Sequence, residues 1–169
     1  YDYTEGLSES NISKLKSEEI KELKKPVGFV SKKSNYAYIF EPHEYYTQAA
    51  IYKILNKGIR VKTATRKFSI GSKQYDYGTY MIQVQNQNLN SDEIFNLLNE
   101  LSVEYNIRFE SQSTGITEGI DLGSDYFINV KQPKIALIVG DGVRSYDAGE
   151  IWHLLDTKYN IPISKLDVD

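Results

Sequence analysis

The chain has no cysteine, and among its 169 residues there are only two histidines, four prolines, one methionine and one tryptophan. Without cysteine there is no disulfide, no thiolate metal ligand and no cysteine nucleophile. A three-ligand zinc site would have to recruit both His43 and His153 together with a carboxylate. Neither histidine stands in a His-Glu-x-x-His or His-x-x-Glu frame, because the sequence reads His-Glu-Tyr-Tyr from His43 and His-Leu-Leu-Asp from His153. Gly-x-Ser-x-Gly is missing as well, and two histidines alone do not define a Ser/His/Asp triad. Long apolar runs are absent: stretches such as Ile135–Val139 fall far short of the roughly 20 residues that span a bilayer. Charge of one sign is also scarce. Twenty Lys and Arg stand against 23 Asp and Glu, a net charge of −3, so no basic face for a nucleic-acid partner is expected. The lysines between Lys14 and Lys25 alternate with Glu18, Glu19 and Glu22 and read as a solvated helix face.

What is present is ordinary for a soluble globular domain: 40% hydrophobic and 25% charged residues, in a length sufficient for one core with an appended element. Tyrosine is the exception. Its 14 copies are well above the average share of about 3%. Tyr45–Tyr46 and Tyr75-x-Tyr77 could stack on sugars or bases. No repeat organises them, however, and half-buried strand edges are the simpler use.

Residues 1–25 are polar and charged, with apolar positions at Ile12, Leu15, Ile20 and Leu23. They are expected to form a partly helical lead-in that Pro26 stops. From 26 to 169 the pattern is α/β. Strands are predicted near 36–41, 59–65, 79–85 and 134–139, and helices near 44–56, 92–105 and 146–158. Lys57–Gly58 stops the first helix. Asn90-Ser-Asp-Glu93 is a capping box that opens the second. The stretch from Lys67 to Tyr80 reads as an inserted β-hairpin, Ile107–Glu110 resumes an extended pattern, and Asp125–Val130 is a short strand. Ser111–Ser124, rich in Ser, Thr and Gly, is predicted to be an exposed loop. Asp147 and Glu150 form a second capping pattern. The expected architecture is an α/β fold with a mixed, largely parallel sheet flanked by helices.

The strongest local signal for a site lies near the C-terminus. An apolar strand (Ile135–Val139), the turn Gly140-Asp141-Gly142-Val143-Arg144-Ser145 and an amphipathic helix follow one another. A Gly-rich strand-to-helix turn can hold an anion on free N–H groups. Arg144 favours this and Asp141 opposes it, and Ser145 stands where a dinucleotide fingerprint has a third glycine. Gly140, Asp141, Gly142, Arg144 and Ser145 are therefore candidate ligand-binding residues, with a purely structural turn as the other reading. Because a doubly wound layer begins here just before the chain ends, the chain is expected to be a truncated piece of a longer protein.

The order of segments also carries a resemblance. Tyr36–Pro42 (YAYIFEP), Leu55–Val61 (LNKGIRV), the hairpin Lys73–Gln85 with Gly78-Thr79-Tyr80, Asp121-Leu122-Gly123-Ser124 and Pro133-Lys134-Ile135-Ala136-Leu137 follow in that sequence. Together they resemble the region after the catalytic domain in large bacterial zinc carboxypeptidase-like proteins related to carboxypeptidase A. The resemblance covers roughly residues 27–169. The last strand and turn are similar to the opening of class I glutamine amidotransferase-like domains, whose cysteine nucleophile has no counterpart here. This resemblance implies a non-catalytic accessory or scaffold domain whose partner is the catalytic domain of the same polypeptide. It implies a periplasmic or extracellular location, and zinc held by that catalytic domain, with no cofactor and no metal ligand in this piece. The alternative is a stand-alone small-ligand or anion-binding module built on the Gly140–Ser145 turn.

Overall fold

Alternation along one four-residue strand sets the layers. In β2 (Ala37–Phe40) every side chain is buried, Ala37 and Ile39 in one core and Tyr38 and Phe40 in the other, as expected for a strand covered on both faces. The computed structural model describes Glu22 and residues 27–168, so the lead-in helix expected within 1–25 lies outside the described residues. After β2 come α1 (Thr47–Asn56) and β3 (Lys62–Ala64), then the hairpin β4–β5 (Phe68–Ile70 and Lys73–Tyr75). β6 (Tyr80–Gln83), α2 (Ser91–Tyr105) and β7 (Arg108–Gln112) follow. The sheet runs β1-β7-β2-β6-β3-β8, with the short strands β1 (Phe29–Val30) and β8 (Phe127–Asn129) at its edges.

The fold is mixed α/β, but the sheet is not largely parallel. β6 pairs antiparallel with both β2 and β3, β7 pairs antiparallel with β2, and β8 antiparallel with β3; in this sheet only β1–β7 is parallel. The strand–helix–strand spacing around α1 does bring β2 and β3 into the same direction, but β6 lies between them. In the same way β2 separates β6 from β7. The result is two interleaved split βαβ units, the strand order of a ferredoxin-like βαββαβ fold. The physical reason is burial: Met81 and Ile82 on β6 are both fully buried, so this strand needs cover on both faces and takes a central place.

α1 and α2 cover one face, where Ile54, Leu98 and Leu101 pack on Tyr38, Phe40 and Phe109. The other face is closed by the β4–β5 hairpin and by the chain leading to β8, with Phe68, Tyr75 and Leu122 on Ile39 and Met81. The supposed exposed loop at 111–124 is thus partly a lid. Ile120 and Leu122 are buried, and Glu118 exchanges backbone hydrogen bonds with Ser69 at 2.9 and 3.0 Å. The Asn90 capping box forms as expected. Asn90 Oδ1 accepts from the N–H groups of Asp92 and Glu93 at 2.9 and 3.0 Å, and Glu93 Oε2 accepts from Asn90 N–H at 2.8 Å.

Beyond this sheet stands a separate βαβ unit. β9 (Ile135–Val139) leads into α3 (Ser145–Trp152), which continues as a π-helical stretch over His153–Lys158 and returns as β10 (Ile163–Asp167). β9 and β10 pair in parallel along five residues. The second capping box is not formed: α3 begins at Ser145, Arg144 holds the cap position without a side-chain bond, and Asp147 lies in the first turn. The unit meets the main body where the Tyr159 ring packs on Tyr45 and Tyr46, at 5.8 and 6.2 Å between centroids, and where Gln132 donates to Asn56 at 2.8 Å.

Candidate functional site

The five residues singled out in the sequence form one exposed turn at the carboxyl ends of β9 and β10. Gly140 and Gly142 both adopt left-handed backbone, with φ of 103° and 85°, which side chains disfavour. At Gly140 an added Cβ would also displace the carboxylate of Asp167, at the end of β10. Asp167 also accepts from the N–H of Val168 at 2.8 Å. The turn carries Asp141 and Arg144 and has the Asp167 carboxylate of β10 against Gly140. A second parallel strand bearing an acidic residue beside the glycines does exist, a feature that sequence could not place. In a βαβ unit this is the place where such a carboxylate can accept from ribose hydroxyls, whereas a bare anion meets repulsion on two sides.

The same unit is unusual in what it leaves uncovered. Lys165 reaches over the Trp152 ring, 4.9 Å from its centroid, which places alternate residues of the two strands on the helix side. Ala136, Ile138, Ser164 and Leu166 therefore face away from α3. Ile138 and Leu166 are register partners, yet they are 57% and 52% exposed. Parallel strands are ordinarily covered on both faces. Among the described residues one face carries a helix and the other is open, and β9 makes no pairing on its second edge. Tyr146 and Ile151 leave α3 itself apolar on its outer flank, beside a shallow groove of about 320 Å³ that reaches His153.

Two groupings of charged residues escaped the sequence reading. On the hairpin side of the main sheet, Lys73 bridges Glu41, at 2.9 Å, and Glu110, while the Tyr75 hydroxyl donates to Glu110 at 2.5 Å. Burial, reinforced by the carboxylate of Glu110, pushes the Tyr75 phenol well above its usual range. Burial opposes the charge on Lys73, but its bonds to Glu110 and Glu41 outweigh that and hold its pKa above the ordinary lysine value. Both groups keep their protons, so this arrangement suits structure better than proton transfer.

Beside the start of β7, a cleft of about 350 Å³ is lined by Glu44, Tyr45, Tyr46, Tyr105 and Arg108, with His43 at its side. Three tyrosines line it and a fourth, Tyr159, packs on two of them, a cluster that no spacing in the sequence announces, because Tyr45 and Tyr46 come from the approach to α1, Tyr105 from the end of α2 and Tyr159 from the turn before β10. The His43–Tyr46 stretch after Pro42 was the only local signal available. His43 lies in this turn and His153 at the end of α3, and among the described residues no group of three or more His, Cys, Asp or Glu is placed to share a metal ion. No helix among them is long and apolar enough to cross a membrane. No family model, curated protein or solved structure matches the chain.

Proposed function

We propose that this chain is a non-catalytic accessory region of a zinc carboxypeptidase-like polypeptide, and that it scaffolds the catalytic domain through the β9–α3–β10 unit. The observation that carries the scaffolding role is the open apolar face of that unit, with Ile138 and Leu166 paired and more than half exposed. Uncovered apolar surface on a parallel pair favours contact with another body of protein. The carboxypeptidase assignment rests on the order of motifs alone. Their positions are compatible with structural duty: Gly78 turns the chain into β6 at φ 86°, Leu122 is fully buried in the second core, and Pro133–Leu137 leads into β9. On this reading zinc, catalysis and substrate selection belong to the catalytic domain, outside the cytoplasm.

The gene tests the assignment directly. Translation upstream of Tyr1 is expected to yield a His-x-x-Glu pair followed at a distance by His and then Glu; a frame without them overturns it. The purified 169-residue chain is expected to take up no stoichiometric zinc and to release no C-terminal residues from peptides. Stoichiometric zinc with turnover would remove the non-catalytic role.

A second reading is favoured by one observation, the Asp167 carboxylate against Gly140 at the carboxyl ends of two parallel strands. It makes the Gly140–Ser145 turn a site for a small ligand offering hydroxyls as well as phosphate. Titration with phosphate, sulfate and nucleotides, with Arg144→Ala as control, decides it. Binding of nucleotide but not sulfate supports this reading, and no binding at millimolar ligand rejects it.

A further inference from the structure

Glu44 carries the one charged side-chain atom among the described residues that is buried without a partner. Its side chain is 18% exposed, and Oε2 is shut off from solvent with no hydrogen bond. The other oxygen, Oε1, lies 3.5 Å from Arg108 Nε, too far for a well-made hydrogen bond. A buried carboxylate in this condition is costly, and such an exception calls for an explanation. Local backbone structure holds the two residues in place. The Glu44 carbonyl accepts the Thr47 N–H at 3.0 Å at the start of α1. Asn106, left-handed at φ 56°, turns the chain from α2 into β7 just before Arg108.

The pair therefore retains unused capacity of both signs: acceptor capacity on Glu44 and donor capacity on Arg108, whose side chain is 54% exposed. Both line the 350 Å³ cleft, which is walled also by Tyr45, Tyr46 and Tyr105. Its volume is in the range of small-molecule sites. A purely anionic ligand would face Glu44, and a purely cationic one would face Arg108. A neutral apolar ligand would leave the ion pair as poorly satisfied as before. We propose that this cleft binds a small zwitterion, a free α-amino acid. Its ammonium group donates to the Glu44 carboxylate. Its carboxylate accepts from the Arg108 guanidinium, and its side chain lies on the tyrosine rings, which attract both apolar groups and cations. This site is independent of what the turn at Gly140 or the β9–β10 face does.

The test is an amide-resolved NMR titration of the 169-residue chain with L-phenylalanine, beside phenethylamine, which lacks the carboxylate, and 3-phenylpropionate, which lacks the ammonium. L-phenylalanine is expected to shift the amides of Tyr45, Tyr46 and Asn106 saturably in the millimolar range. Each truncated probe should bind about tenfold or more weakly, as the loss of one charge-assisted hydrogen bond implies. Glu44→Gln should abolish the shifts while the amide pattern of the sheet stays unchanged, and Arg108→Met, at a half-exposed position, gives the same readout should Glu44→Gln fail to fold. Absence of saturable shifts, equal binding of either truncated probe, or undiminished binding in the folded variants would overturn the site.

Discussion

Glu110 is served by two side chains of one hairpin, Lys73 on one oxygen and Tyr75 on the other. The consequence is a specific alkaline weakness. Both Lys73 and Tyr75 have folded-state pKa values above their ordinary 10.5 and 10.0. Above those values the unfolded chain loses protons that the native chain still holds, so stability falls as pH rises. Below about pH 10 their contribution is present in full. Denaturant unfolding at neutral pH and at about pH 11 checks this. Wild type is expected to lose stability between the two, and Tyr75→Phe to be about 1–3 kcal/mol less stable at neutral pH and to lose less on going alkaline. Equal losses in both proteins would mean that this trio does not govern the transition. None of it was legible in the sequence, because Lys73 and Glu110 are 37 positions apart and charge alternation does not say which pairs will meet. The same limit hid Glu44 and Arg108, whereas the Gly140–Ser145 turn, being contiguous, was visible at once.

Elements were legible where their signals are local. The Asn90 box opens α2 and Asn106 closes it because both act within one turn of helix. Gly58, at φ 73°, ends the first helix region for the same reason. β1 was not legible: two residues carry no period, and its place depends on what α2 and β7 allow. Gly28 decides it. An added Cβ there would run into the Ser102 carbonyl oxygen and the backbone nitrogen of Ile107, atoms that cannot step aside. Phe29 and Ser31 then donate to the carbonyls of Ile107 and Phe109 at 3.1 and 3.0 Å. Gly28→Ala is expected to cost about 1–3 kcal/mol and to strip hydrogen-exchange protection from the Phe29 and Ser31 amides while α1 keeps its own. Retained protection at those two amides would show that the backbone adjusts and that glycine is not required.

At the scale of the molecule, and apart from the β4–β5 hairpin, the described residues form two differently built sheets: six strands closed on both faces, and two parallel strands closed on one. The open face predicts behaviour in solution. The chain is expected to bind an environment-sensitive apolar dye and to self-associate as concentration rises. Ile138→Lys with Leu166→Glu should reduce both without changing the circular dichroism spectrum, because these side chains leave the face by more than half. Sedimentation of the two proteins at matched concentrations is the check. A dye-silent, monomeric wild type would mean that the face is satisfied as it stands.

Taken alone, the sequence determined the short-range facts: an α/β chain, the helices and most strands, the Asn90 cap though not the Asp147 one, the hairpin, and a strand–glycine turn–helix at residues 135–158. It determined these because hydrophobic period, capping chemistry and glycine freedom act over a few residues. Strand neighbours are not of that kind. Met81 and Ile82 announce a buried strand equally well beside β2 in parallel or between β2 and β3 in reverse. Only packing of both faces chose the second, and with it a mostly antiparallel sheet. The tertiary structure likewise decided that Asp167 meets Gly140, that Tyr45, Tyr46 and Tyr105 share one cleft with Glu44 and Arg108, and that Ile138 and Leu166 stand open to solvent. Each depends on contacts between segments far apart in the chain, for which no local pattern exists.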